Sequence, residues 1–359
     1  MRIAFLTYGV TAYQDAAFRA LAELGDELLV VQPATMTDAP FDPDQFTQKV
    51  QRWTWPTAQA PDAPVMVPLV EEFRPDAVMM VSWSGKGYRA VMKAQQGRAL
   101  RILFTSNIWR PTAKQWLGRL THRIYLDPLY DCAFVPGDRS EWFARRLGFD
   151  GETIIRGANT ADVQVFERGP RDPAELAARK SFLFTGRLVD HKGVAVLAEA
   201  YRRYRRAVDD PWFLDIVGTG PLADELSSIE GVRMHGFRQP PEMADAMHEA
   251  SALILPSFLD WYGVVVHEAA VSGLPLILSD GVGAVPHLLQ DGFNGWTVAA
   301  GSVQSLTDAM VRMSTAGTER LGEMSRGSQA LGKRLSPEIW ARNVHEEVER
   351  RVPRVRAGV

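Results

Sequence analysis

The chain has 359 residues, 46% hydrophobic and 23% charged, a globular composition that excludes a disordered or collagen-like protein. Its 40 basic and 43 acidic residues leave a formal net charge of −3, so nucleic acid is not expected as a partner; domains that bind it are strongly basic. At ~150 residues per domain the length predicts two domains. The first residues, Met1–Tyr8, lack the long apolar stretch and small-residue cleavage site of a secretory signal, and no run of about 18 apolar residues follows. A cytoplasmic protein is therefore expected, touching a membrane at most from its inner face.

In chain order, short apolar runs predict strands at Arg2–Thr7, Glu27–Val31, Ala77–Val81, Ile102–Thr105, Ala133–Val135 and Thr153–Ile155. Between them, helical spacing appears at Tyr13–Leu24, Pro64–Phe73 and Lys86–Gln96. Cys132, the one cysteine, sits in an apolar run and reads as core; without ligand-spaced neighbours it predicts neither a disulfide nor a zinc site. Trp53 and Trp55 fall in a Pro-rich segment that reads as irregular, where they anchor a loop or stack on a ligand. Trp109–Ile124 is basic and amphipathic: Ala113, Trp116, Leu117, Leu120 and Ile124 share a face from which Lys114, Arg119, His122 and Arg123 are largely absent. Such a helix either packs its apolar face on the sheet, the reading preferred from sequence, or docks on a membrane.

The pattern breaks at Gly169-Pro170-Arg171-Asp172-Pro173 and then restarts. Strands are predicted at Ser181–Thr185, Phe213–Val217, Val232–His235, Ala252–Leu255, Pro275–Leu278 and Gly295–Val298. Helices are predicted at Val194–Tyr204, Ala223–Ile229, Pro241–Glu249, Val264–Ser272 and Val303–Met313. Strands alternating with helices give parallel sheets covered on both faces. The expected fold class is α/β, with one Rossmann-like domain over 1–169, a second over 170–335, and a helix over 336–359 whose stripe of Ile339, Trp340, Val344 and Val348 returns to the first.

Ligands of parallel sheets bind at the carboxyl ends of the strands. After Phe184-Thr185, the loop Gly186–Gly193 carries Arg187 and Lys192 into a helix start, a combination suited to an anion. Gly218-Thr219-Gly220-Pro221 is a tight strand-to-helix turn, although the third glycine of a dinucleotide fingerprint is replaced by Ala223. Asp260 and Gly263 precede an apolar helix bearing His267 and Glu268, whose carboxylate needs a cation or a ligand hydroxyl there.

Together these segments resemble the C-terminal domain of retaining GT-B glycosyltransferases of family 4, the glycosyl transferases group 1 type. The likeness rests on Gly186-Arg187-Leu188, Lys192-Gly193, Gly218-Thr219-Gly220-Pro221, Asp260 to Glu268, Gly273-Leu274-Pro275 and Asp291-Gly292-Phe293-Asn294-Gly295, in order and at matching spacing. It implies transfer of a sugar from a nucleotide-sugar donor, a UDP- or GDP-sugar, to a glycan, lipid-linked or small-molecule acceptor, with no metal or other cofactor. The family's roles then fall on Arg187 and Lys192 at the leaving diphosphate, on the amides near Gly263 and Val264 at its distal phosphate, and on Glu268 at the ribose hydroxyls. Asp260 faces the donor sugar, Gly218 and Gly220 the donor, Phe237 and Arg238 the base; Gly9, Asn107 and Trp109 line the acceptor or sugar side. Departures are Asp260 where the family has Glu, Pro286-His287 for a Pro-Glu pair, and Thr105–Trp109 where a histidine is common. An epimerase or phosphorylase on the same scaffold, or a non-catalytic nucleotide-sugar-binding protein, is the alternative.

Overall fold

The computed structural model of the protein describes residues 1–34, 47, 49–55, 62–81, 83 and 85–358. They form two compact units, Met1–Thr160 with Leu335–Val359, and Ala161–Arg334. In the first unit the elements are β1 (Arg2–Leu6), α1 (Ala12–Glu23), β2 (Glu27–Pro33), β3 (Gln51–Trp55), α2 (Ala63–Phe73), β4 (Ala77–Met80), α3 (Lys86–Ala94), β5 (Leu100–Phe104), α4 (Ala113–Tyr125), β6 (Cys132–Val135), α5 (Asp138–Arg146) and β7 (Ile154–Arg156). They build a seven-stranded parallel sheet in the order β3-β2-β1-β4-β5-β6-β7. Its central strands β4, β5 and β6 are buried throughout, as their unbroken apolar runs require of a sheet covered on both faces. Cys132 is fully buried there.

The second unit contains α6 (Val163–Phe166), α7 (Pro173–Ala178), β8 (Ser181–Thr185), α8 (Val194–Ala207), β9 (Phe213–Val217), α9 (Ala223–Ser227), β10 (Val232–Gly236), α10 (Pro240–Glu249), β11 (Ala252–Leu255), α11 (Val264–Val271), β12 (Leu276–Ser279), α12 (Val285–Leu288), β13 (Gly295–Val298), α13 (Val303–Ser314) and α14 (Thr318–Gly332). Its six strands run parallel in the order β10-β9-β8-β11-β12-β13. The break at Gly169–Pro173 is not the boundary between the units. Residues 161–169 already belong to the second: the Ser272 hydroxyl donates to the Phe166 carbonyl at 3.1 Å, and Gln329 Nε2 donates to the Gly169 carbonyl at 2.7 Å.

The chain then returns to the first unit as α15 (Pro337–Ala357), capped by Ser336, whose hydroxyl accepts from Ile339 N. Trp340, Ala341, Val344, Val348 and Val352 complete one core with Ile3, Phe5, Phe18 and Phe134. Trp340 is its anchor: its ring centroid lies 6.0 Å from that of Phe5 and 5.6 Å from that of Phe134, and Nε1 donates to the Ala158 carbonyl at 2.8 Å. Trp340→Ala removes this aromatic volume and orphans the carbonyl. A loss of about 3–5 kcal/mol is expected in guanidinium unfolding; a loss below about 1 kcal/mol contradicts the anchoring role.

Two expectations for the first unit need correction. Trp53 and Trp55 are not in an irregular segment: they lie in β3, paired with β2 in the register Val31 to Trp53 and Pro33 to Trp55. The flanking prolines hide a run of strand-forming residues for which β2 supplies hydrogen bonds. Trp55 is buried, with its ring centroid 6.2 Å from that of Tyr88. The second correction concerns α4, which buries none of its residues; Leu120 is 79% and Ile124 73% exposed. The helix forms as its spacing predicts, with Thr112 Oγ1 accepting from Gln115 N at its start, but its apolar face is not spent on the sheet.

Candidate active site

In the second unit, sheet order reverses between β8 and β11, and the loops at the carboxyl ends of strands at such a switch point are where parallel sheets take their ligands. The first loop carries Arg187 and closes with a turn of 3₁₀ helix, Asp190–Lys192. The second runs from Pro256 to Gly263 and carries Asp260. They are stitched together where Phe258 N donates to the His191 carbonyl at 2.8 Å. Lys192 Nζ and Asp260 Oδ2 form an ion pair, both side chains mostly buried. Arg187 is exposed. His191 reports the local charge: desolvation, with Lys192 and Arg187 adding, holds its imidazole below the usual value against the pull of Asp260 and Asp190. Three predicted residues, Arg187, Lys192 and Asp260, thus stand on the two loops at this switch point, all acting on His191.

Asp260 is held by backbone from the loop after β12. Its N–H donates to the Gly281 carbonyl at 3.1 Å, and its carbonyl accepts from Gly283 N at 2.9 Å. A Cβ on Gly283 would run into the Trp261 carbonyl. Sequence reasoning missed Gly281 and Gly283; their only signal was glycine spacing at a strand end.

The second loop ends at Gly263, which has φ +83° and caps α11. The first-turn amides of Val264 and Val265 give that end partial positive charge, while Val266 N donates to the Gly263 carbonyl at 2.9 Å. Glu268 lies one turn further along α11, half-buried, and no described residue hydrogen-bonds its carboxylate. The expected cation partner is absent among the described residues. Instead, burial and then the Asp162 carboxylate push Glu268 up to about 7.

Gly218 and Gly220 have a role inside the protein. A Cβ at Gly218 would strike the Gly186 carbonyl, and one at Gly220 would strike the Leu188 backbone. The turn packs on the Arg187 loop, with Leu188 N donating to the Thr219 carbonyl at 2.8 Å. Phe237 and Arg238 follow β10 beside it, where Gly218 N donates to the Gly236 carbonyl at 2.7 Å, and Arg238 lies 3.6 Å from Glu242.

The remaining predicted residues belong to the first unit and are described there. Gly9 follows β1, its N–H donating to Thr7 Oγ1 at 3.4 Å. Asn107 follows β5, its N–H donating to Thr105 Oγ1 at 3.3 Å. Trp109 packs edge-on against Trp116, centroids 5.6 Å apart, with the Arg146 guanidinium 4.9 Å from its ring centroid. Among the described residues no group of three or more His, Cys, Asp or Glu side chains is placed to hold a metal ion.

Residues 179–316 match the family described as Glycosyl transferases group 1. A phosphatidyl-myo-inositol mannosyltransferase of Mycobacterium leprae is 26% identical over 264 residues, covering 72% of this chain and 67% of the relative. A glycogen synthase of Mycobacterium tuberculosis is 32% identical over 286 residues, covering 64% and 66%. The chain thus spans about two thirds of the length of these relatives. Among solved structures, HepE of Anabaena, in complex with UDP and glucose, superimposes with a TM-score of 0.76 at 17% identity over 97% of this chain and 99% of that one. Two parallel-sheet Rossmann-like units give the chain the GT-B fold, and residues 179–316 make its second unit similar to the glycosyl transferases group 1 family.

Proposed function

We propose that the protein transfers a sugar from a nucleotide-sugar donor, a UDP- or GDP-sugar, to a hydroxyl of a glycan or lipid-linked acceptor, with retention of anomeric configuration. The observation that carries this is the placement of Arg187, Lys192 and Asp260 at the β8–β11 switch, one turn of helix from Glu268, which no described residue partners. The donor's diphosphate lies against Arg187, Lys192 and the first-turn amides of α11. The C1–O bond to phosphate breaks, negative charge grows on the leaving oxygen, and the two cations stabilise it where it develops. The acceptor oxygen bonds to C1 on the face the diphosphate leaves, and its proton passes to the departing phosphate. Glu268 accepts from both ribose hydroxyls, a carboxylate having two oxygens for a vicinal diol. Asp260 orients the donor sugar, and Lys192, its partner in the free protein, turns to the phosphate. Phe237 and Arg238 lie at the base. The first unit takes the acceptor near Gly9, Asn107 and Trp109.

The acceptor we favour is lipid-linked. No described helix is long and apolar enough to cross a membrane, but α4 presents Trp116, Leu117, Leu120 and Ile124 to solvent beside Lys114, Arg119 and Arg123. Turnover of UDP- and GDP-sugars is to be assayed with and without vesicles of phosphatidylglycerol. One donor is expected to support transfer, and the protein is expected to co-sediment with these vesicles but not with neutral ones. Leu120→Glu with Ile124→Glu abolishes sedimentation and leaves donor hydrolysis intact. Sedimentation that survives these changes rules out docking through α4; the absence of turnover with any nucleotide sugar rules out the transfer reaction.

A further inference from the structure

His267 is fully buried on α11, next to Glu268, and both ring nitrogens are engaged. The Ala161 N–H donates to Nδ1 at 2.8 Å, so Nδ1 carries no proton. Nε2 lies 2.9 Å from the Gly332 carbonyl and must donate to it. The ring is therefore neutral with its proton on Nε2, and the two partners dictate that tautomer. They also stand at telling places. The chain passes between its units at Thr160/Ala161 and again at Arg334/Leu335. One imidazole ties the donor helix to the start of the second unit and to the end of α14, just before the chain leaves.

α11 needs such a tie. Its sequence, Val264 to Val271, is apolar nearly all round, with Val266, Ala269, Ala270 and Val271 buried. Apolar packing is non-directional and leaves the rotation of a helix weakly specified, whereas two hydrogen bonds to fixed backbone atoms define it. Glu268 has no partner of its own among the described residues, so its aim follows the helix. The Ala161 bond also sets the start of the segment that carries Asp162, the charge that Glu268 feels. Close contact supports the same joint: a Cβ at Gly332 would lie 2.9 Å from Val271 N.

We propose that His267 is a positioning residue of the donor site, fixing the rotation of α11 and thereby the placement of the Glu268 carboxylate against the ribose diol of a nucleotide. This rests on the role given to Glu268 above. The test is calorimetric titration of UDP and 2′-deoxy-UDP, with GDP and 2′-deoxy-GDP in parallel, into the full chain. The wild type is expected to prefer the ribonucleotide by about tenfold or more, since a carboxylate built to accept a hydroxyl is left unpaired by its absence. His267→Leu brings the preference close to unity while 2′-deoxynucleotide affinity holds, a selective change that general loosening would not produce. His267→Gln keeps the preference, because its amide offers one acceptor and one donor. His267→Asn meets only one partner and gives an intermediate value; it decides the matter if the leucine variant does not melt cooperatively. A wild-type preference that survives in the folded leucine variant, or in the asparagine variant alone, overturns the positioning role and leaves the Glu268 reading intact. A wild type without preference overturns both.

Discussion

Lys192→Ala is expected to reduce kcat by about 10²–10³-fold, the cost of removing one fixed donor from a site where transition-state charge develops. Arg187→Ala is expected to fall by a similar factor, and the double variant by less than the product, since both act on one diphosphate. Stability separates the two. Arg187 is exposed, so its removal leaves the melting temperature nearly unchanged. Lys192 is paired with Asp260, both side chains under one fifth exposed (16% and 13%). Losing the lysine strands a desolvated carboxylate, and a fall of up to about 3 kcal/mol is expected. Lys192→Met combined with Asp260→Asn removes both charges at similar volume; it recovers the stability and not the turnover. Steady-state kinetics beside thermal melts check this. Single variants that turn over at the wild-type rate would remove the cations from the leaving-group role.

Glu268→Gln should weaken nucleotide binding by about 10–100-fold, the worth of hydrogen bonds to a charged acceptor, yet stabilise the free protein in mild alkali. The sign follows from linkage. Burial and Asp162 raise the folded-state value of Glu268 to about 7, above its ordinary value of 4.5. The protonated form is favoured by folding, so this stabilisation is complete below pH 4.5 and is lost as pH rises through about 7. The amide does not ionise. Melting curves of the variant should stay flat between pH 6 and 8, where the wild type declines. Binding has the opposite trend, because the ionised carboxylate accepts both hydroxyls: wild-type affinity rises over the same interval with release of a proton, visible as buffer-dependent heat. A pH-independent affinity in the wild type would show that the ribose contact does not depend on ionised Glu268.

Much of the candidate site is legible in the sequence because its residues are consecutive and lie at strand ends. Arg187 to Lys192 and Asp260 to Glu268 are short spans, and alternation of strand and helix brings both to the carboxyl ends of the central strands β8 and β11. What escaped has physical causes. Helix α14 shows a diluted apolar pattern: beside Leu321, Met324 and Leu331 its buried face holds Gly322, Ser325, Gly327, Ser328 and Gly332, packed by close approach and by hydrogen bonds such as Ser328 Oγ to the Leu274 carbonyl at 2.6 Å. The bracing of Asp260 by Gly281 and Gly283 involves backbone atoms, which no side-chain pattern announces. His267 looked like one polar residue on an apolar helix, and its partners lie 106 and 65 residues away in sequence. For Gly218 and Gly220 the spacing was legible and the reason was not: the glycines admit a neighbouring loop.

The return of α15 reverses the order in which the two units can mature. Domains generally fold as units, from the N-terminus onward during synthesis. Here the second unit is one continuous stretch, 161–334, and is complete as soon as it emerges, whereas the first lacks the residues that close its core until α15 follows. The sheet begun by Arg2–Leu6 is therefore the one whose core closes last, once Trp340 to Val352 have been synthesised.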